Sequence, residues 1–141
     1  MRICIASDHG GYDLKQHIIS HLQNTKHVIE NLGCHNKDSV DYPYFGHQVG
    51  MQITQGLADT GIVICGTGIG ISIAANRFLS VRAALCYDTT TARLSREHND
   101  ANVLALGARQ TAPQLACEIV DVFLSTQFEG GRHQRRIDQL S

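Results

Sequence analysis

Apolar residues along this chain fall into two patterns that alternate: short unbroken runs, and longer stretches in which they recur at helical spacing. Ile3-Cys4-Ile5-Ala6, Ile62-Val63-Ile64-Cys65, Val81-Arg82-Ala83-Ala84-Leu85-Cys86 and Val103-Leu104-Ala105-Leu106 are runs of the first kind, bounded by glycine or polar residues, as expected of buried strands. His27–Gly33 adds a more polar strand. Between the runs, Leu14, Ile18 and Leu22, then Phe45, Val49 and Ile53, then Leu115, Ile119, Val120 and Phe123 supply the buried stripes of amphipathic helices. Asp41-Tyr42-Pro43 marks a helix start, because proline is favoured in the first turn. Asp88 is placed as the N-cap of a short helix running through Leu94. Strand, polar loop and helix in alternation is the pattern of βαβ units.

The most informative junction is Ile62-Val63-Ile64-Cys65-Gly66-Thr67-Gly68-Ile69-Gly70-Ile71-Ser72, a strand, a glycine loop and a helix start. Glycines at every second position let several backbone N–H groups face one point, and the helix behind them adds its unpaired first-turn donors. Such a concavity holds an anion. Cys65 sits at the carboxyl end of its strand, where open parallel sheets bind ligands, so its thiol borders that site. The competing reading is a small buried hydrophobe beside a tight turn. Nucleotide readings fail: the third glycine of a dinucleotide fingerprint is replaced by Ile71, and no Gly-Lys-Ser/Thr is present.

A length of 141 residues and a hydrophobic fraction of 43% suit one domain, 1–141. Lys+Arg 12 against Asp+Glu 13 leaves a net charge of −1, which offers nothing to nucleic acid or an anionic membrane. With no apolar run near the ~18 residues of a membrane span and no leader-like amino terminus, a cytoplasmic location is expected. Five widely spaced cysteines, without any C-x-x-C, argue against both a disulfide framework and a structural zinc site.

Other chemistry is scattered. Asp8 and His9 occupy the loop after the first strand, equivalent in position to the Cys65 loop. His17 and His21 have metal-compatible i, i+4 spacing, but they flank Lys15 and Gln16 on what reads as the polar side of a helix. Tyr42 reads as a site residue or as a core ring with a wet hydroxyl, and His98 as a general acid or a helix-end histidine. Arg132 and Arg136 share a helical face in a basic tail, which makes them a phosphate clamp or a solvated end.

Taken together, Asp8-His9-Gly10-Gly11, Asp41-Tyr42-Pro43, Cys65-Gly66-Thr67-Gly68-Ile69-Gly70-Ile71-Ser72, His98-Asn99-Asp100-Ala101-Asn102 and Gly130-Gly131-Arg132-His133 resemble the B-type ribose-5-phosphate isomerases over nearly the whole chain. The resemblance implies an α/β three-layer sandwich, with a five-stranded parallel Rossmann-like sheet and helices on both faces. It also implies no metal, no cofactor, and a homodimer or dimer of dimers with sites shared between subunits. A basic C-terminal helix (130–141) would pack on the partner. The substrate would be a sugar phosphate, most directly ribose 5-phosphate in exchange with ribulose 5-phosphate. Cys65 would be the base moving a proton between C1 and C2 through an enediol(ate), with Thr67 beside it and Asp8 shuttling a proton between substrate oxygens. His98 would open the sugar ring. His9, Arg132 and Arg136 would hold phosphate; Tyr42, Gly66, Gly68, Ile69, Gly70, Ser72, Asn99 and Arg109 would complete the binding surface. Some family members carry serine at the cysteine position with a glutamate further along; Cys65 and Ala75 indicate the cysteine branch. Isomerases of allose or galactose 6-phosphate belong to the same family, so the six-carbon substrate stays open, as does a non-catalytic sugar-phosphate-binding regulator. A low-pKa cysteine phosphatase would want an arginine in the loop after Cys65, and Gly66–Gly70 has none.

Overall fold

The computed structural model describes residues 1–140. Five strands, β1 (Arg2–Ser7), β2 (Val28–Asn31), β3 (Thr60–Cys65), β4 (Ala83–Leu85) and β5 (Val103–Gly107), form one all-parallel sheet in the order β2-β1-β3-β5-β4. Helices α1 (Tyr12–Leu22), α2 (Tyr42–Thr54), α3 (Ile69–Ala75), α4 (Thr89–Asn99), α5 (Pro113–Ser125) and α6 (Arg132–Asp138) complete the chain. The α/β sandwich expected from the alternating pattern is present.

Strand periodicity sorts side chains between two cores. Ile3, Ile5, Ile62, Ile64, Leu104 and Leu106 point to the face covered by α1, α4 and α5. Cys4, Ala6, Val63, Cys65, Val103 and Ala105 point to the face covered by α2 and α3. The first face is built from bulky side chains, and full burial of each stabilises the fold by roughly 1.5–3 kcal/mol. The second is built from small ones.

The order of the last two strands differs from simple outward growth. β5 is fully buried and takes the interior place next to β3, whereas β4, three residues long and half-buried, takes the edge. An interior strand must be apolar on both faces along its length: Val103-Leu104-Ala105-Leu106-Gly107 is so over five residues, whereas the β4 run carries Arg82 and supplies only three strand residues. The expected strands at 27–33 and 81–86 are correspondingly shorter in the fold. Beyond β2, the chain stays beside β1: Ser7 N–H donates to Gly33 C=O and Cys34 N–H to Ser7 C=O, both at 2.8 Å.

Three other expectations are corrected. The helix begun at Asp88 does not stop at Leu94 but continues to Asn99, so His98 and Asn99 stand on its last turn. The basic terminal helix is limited to Arg132–Asp138; Ser141, within the expected 130–141, lies outside the described residues. Lys15 is not on a solvated face but fully enclosed. Its Nζ donates to Asn31 Oδ1 (2.8 Å) and Cys34 C=O (2.9 Å) and lies 5.3 Å from the centre of the Tyr12 ring. Burial pushes its pKa down, against an opposing pull from Cys34. Lys15→Met is expected to lower unfolding stability by roughly 1–3 kcal/mol, because the buried Cys34 carbonyl loses its donor. Urea titration with an unchanged m-value checks this.

Candidate active site

The order in which strands are added switches sides between β1 and β3, which places two loops side by side at the carboxyl end of the parallel sheet. One is Asp8–Gly11, the other Gly66–Gly70. A Cβ built on Gly10 would stand 3.4 Å from Asp8 Oδ1 and 3.7 Å from Gly66 N, so the loops touch. Asp8 is nearly buried; its Oδ1 accepts from Gly11 N–H (3.1 Å) and its own N–H donates to Ile64 C=O (3.2 Å). His9 is exposed, with Nδ1 3.2 Å from both the N and the O of Val40.

Cys65 ends β3 opposite Gly107 of β5 and is 4% exposed. Its sulfur accepts from Gly68 N–H at 3.2 Å, an amide donor of the kind that stabilises negative charge on sulfur. Ile69 N–H donates to Thr67 Oγ1 (3.3 Å), and Ser72, buried in α3, donates its hydroxyl to Ile69 C=O (2.7 Å). The amides of Gly70 and Ile71 have no hydrogen-bond partner among the described residues and remain free for an anion. Gly68 has φ +81°, and a Cβ there would come within 2.8 Å of the Leu106 carbonyl carbon. At Gly70 a Cβ would collide with the Tyr42 ring, which places Tyr42 over the loop rather than in the core. The loop after β5 closes the opposite side: Ala108 N–H donates to Cys65 C=O and Arg109 N–H to Gly66 C=O, both at 2.9 Å, and the Arg109 guanidinium lies over Gly66. Tyr87, which the sequence did not single out, donates its hydroxyl to Thr67 C=O (2.8 Å). Its signal was its place at the end of the β4 segment.

The other thiols differ in surroundings. All five cysteines are free and buried. Burial pushes Cys4 up to about 12, and raises Cys86 and Cys117 as well.

His98, Asn99, Arg132 and Arg136 do not join this group within one chain. α4 starts beyond β4 at the carboxyl edge and runs ~16 Å back, by its eleven residues, toward the amino ends of the strands. Asn102, just after it, accepts at its C=O from Gly61 N–H (2.9 Å) near the start of β3. The turn that carries His98 and Asn99 is rigid. Asp100 closes α4 with φ +44°, an αL position that aspartate tolerates, and two arginines lock it. Arg96 Nη1 donates to Asp100 Oδ1 (2.9 Å); Arg82 donates to the carbonyls of Asn99 (3.0 Å) and Asp100 (2.8 Å). A cleft of about 300 Å³ opens here between His98 and Asn99 of α4, His133, Arg136 and Ile137 of α6, and Leu140. Arg132, one turn before Arg136, is exposed.

The i, i+4 histidines of α1 form no ligand set: His21 Nε2 pairs with Asp121 Oδ1 at 2.8 Å. Among the described residues, His98, Glu129 and His133 are the one trio whose ligand atoms all lie within 4.8 Å of one another. The two imidazoles are stacked, with centroids 4.3 Å apart and planes at 16°. Imidazole lone pairs point in the ring plane, so one ring would have to turn before both could meet a single ion.

The pattern for ribose/galactose isomerases matches residues 3–140 of this chain. The chain belongs to the ribose/galactose isomerase family. It is 44% identical to ribose-5-phosphate isomerase B of Escherichia coli over 99% of this chain and 94% of that protein. The solved structure of Clostridium thermocellum ribose-5-phosphate isomerase B superposes with a TM-score of 0.98 at 51% identity, covering 99% of this chain and 95% of that one. The Mycoplasma genitalium ribose-5-phosphate isomerase B, solved with bound ribulose-5-phosphate, superposes with a TM-score of 0.95 at 45% identity over 99% and 93% of the two chains. An isomerase fold of this family therefore carries the thiol, the amide loop and the aspartate described above.

Proposed function

We propose that this chain is an aldose–ketose isomerase interconverting ribose 5-phosphate and ribulose 5-phosphate, with Cys65 as the base. The observation that carries the reading is the Cys65 sulfur at the carboxyl end of β3, bordered by the free amides of Gly70 and Ile71 and by the Asp8 loop. A proton must leave C2 of the open-chain aldose and return to C1, while negative charge builds on the adjacent oxygens. Cys65 takes and returns that proton; the loop amides stabilise the enediolate oxygen. Asp8 moves a proton between O1 and O2, and Thr67 orients the thiol. Tyr42 and Arg109 border the loop from either side, as substrate contacts should. The relative with bound ribulose-5-phosphate supports the five-carbon substrate.

His98, with Asn99, opens the furanose ring, and Arg132, Arg136 and His9 grip the phosphate. Because His98 and Cys65 lie at opposite ends of one sheet, the complete site is formed by a homodimer in which each chain lends its His98 end to the partner's Cys65 end. Ile69 and Ile73 on α3, each about half exposed, offer apolar surface leading away from the Cys65 loop for such a contact, and Leu79 (81% exposed) continues it toward the Asn99 end. The exposed side of α6 faces the partner in this arrangement. A cytoplasmic location fits five unpaired thiols. Among the described residues, no helix is long and apolar enough to cross a membrane.

The test is a coupled assay of ribulose 5-phosphate formation alongside allose 6-phosphate and galactose 6-phosphate. Turnover of ribose 5-phosphate with solvent hydrogen entering C1 or C2 supports the reading. Binding without turnover of any of the three would leave only a sugar-phosphate-binding protein. Arg132→Ala and Arg136→Ala are each expected to raise KM at least ~10-fold, since guanidinium–phosphate contacts are charge-assisted and bidentate. Initial rates across substrate concentration and added salt check this, and unchanged KM and kcat would make the tail a solvated basic end.

A further inference from the structure

The His98 imidazole has a partner that the reaction scheme leaves unused. His133 stacks on it with centroids 4.3 Å apart and planes at 16°, and is itself only 6% exposed. The His133 Nε2 makes no hydrogen bond and stands 3.5 Å from Glu129 Oε2. The backbone fixes this trio. Glu129 N–H donates to the C=O of Glu97, the residue before His98, at 3.1 Å, and His133 N–H donates to Gly130 C=O at 3.1 Å. The first bond ties the segment 129–133 to the last turn of α4, and the second fixes the turn that carries His133.

An imidazole at the mouth of a cleft turns freely about its broad, roughly two-fold terminal torsion. A proton donor works only from one plane, with a nitrogen within hydrogen-bond reach of the accepting atom. The stacked ring covers one face of His98 and stops that rotation, while leaving the ring edge toward the cleft that Asn99 and Arg136 line. Glu129 supplies a counter-charge to whichever ring of the stack carries a proton.

We propose that His133, backed by Glu129, is a positioning residue that holds the His98 imidazole in its proton-delivering plane. The inference deepens the ring-opening role given to His98 and rests on it. In that step the C1–O4 bond breaks, O4 takes the electron pair and a proton from His98, and the C1 hydroxyl passes its proton to solvent water as the carbonyl forms, while water returns a proton to His98. The proton count is unchanged. His133 need not touch the sugar at any point.

A double-mutant cycle on the full-length protein tests this, with His98→Ala, His133→Ala and the double variant assayed on ribose 5-phosphate. His98→Ala is expected to lose ~10²-fold or more in kcat, as removal of a general acid does. His133→Ala is expected to lose about 10-fold in kcat with KM within about 3-fold, a loss of transition-state stabilisation alone. In the His98→Ala background, the His133 change should cost nothing further, within about 2-fold, because its only route of action is gone. His133→Phe keeps a planar ring without nitrogens and should recover most of the His133→Ala loss. It also serves where alanine in a buried position impairs folding, with thermal melting as the control. Equal losses from His133→Ala in both backgrounds would overturn the proposal in favour of a direct substrate contact or a general packing role. So would a His133→Phe protein as poor as His133→Ala. Wild-type turnover by His98→Ala is a separate result, and it would remove the ring-opening reading itself.

Discussion

Cys65→Ala is expected to lower kcat by at least ~10²–10⁴-fold, the usual contribution of a general base, while its affinity for ribose 5-phosphate stays within a few-fold of wild type. In the proposed site the phosphate and hydroxyl contacts lie on other side chains, so removing the thiol takes away an interaction made only in the transition state. Cys65→Ser should be nearly as poor, because a hydroxyl seldom ionises near neutral pH. Solvent-isotope entry at C1 or C2 is the decisive readout: exchange at the wild-type rate in Cys65→Ala would pass the role of base to Asp8. Alkylation gives a second view. Exposure does not separate Cys65 from the others, since all five thiols are buried. What separates it is its place: its sulfur meets the Gly68 amide in the loop at the end of β3, where the proposed site opens, whereas Cys4 lies inside β1 and Cys117 inside α5, and burial raises the pKa of Cys4, Cys86 and Cys117. Iodoacetamide should therefore modify Cys65 ahead of those three, and bound substrate should slow it.

The second large effect concerns assembly. Cys65→Ala and His98→Ala proteins, each inactive alone, are expected to regain activity when mixed under conditions that let subunits exchange. A mixed dimer has one site with both defects and one with neither, so random exchange should bring recovery toward about a quarter of wild-type activity per chain, by the isologous pairing of a two-fold dimer. Native mass spectrometry would establish that exchange took place. Proven exchange with no recovery would mean that each site is built within one chain, against the separation of the two groups across the sheet.

Much of this architecture was legible before the fold was known, because it is local. The strand, loop and helix around Cys65, the start of α2 at Tyr42-Pro43 and the Asp88 cap each rest on a few neighbouring residues. Asp88 Oδ1 does accept from Thr91 N–H, at 2.6 Å. What the sequence hid is non-local. Lys15 sits among polar residues of α1 and is buried only because the segment after β2 folds over it. His133 lies thirty-five positions after His98, and no periodicity connects them; the contact exists because Glu129 returns to the end of α4. The exchange of β4 and β5 in the sheet was half-visible, since only one of the two runs is apolar enough for the interior.

The glycine loop also limits how this site can change over time. A side chain at position 68 or 70 meets backbone or an aromatic ring, so neither position can drift without dismantling the loop. At Gly66 the nearest atoms belong to the flexible Arg109 side chain, at 3.3 Å and beyond. In the site proposed here the floor is in effect frozen, and variation in which sugar is accepted enters from the rim, at Tyr42, Ile69 and Arg109 and at Asn99 of the second chain. A lineage moving between five- and six-carbon substrates would leave its trace at those positions and not among the glycines.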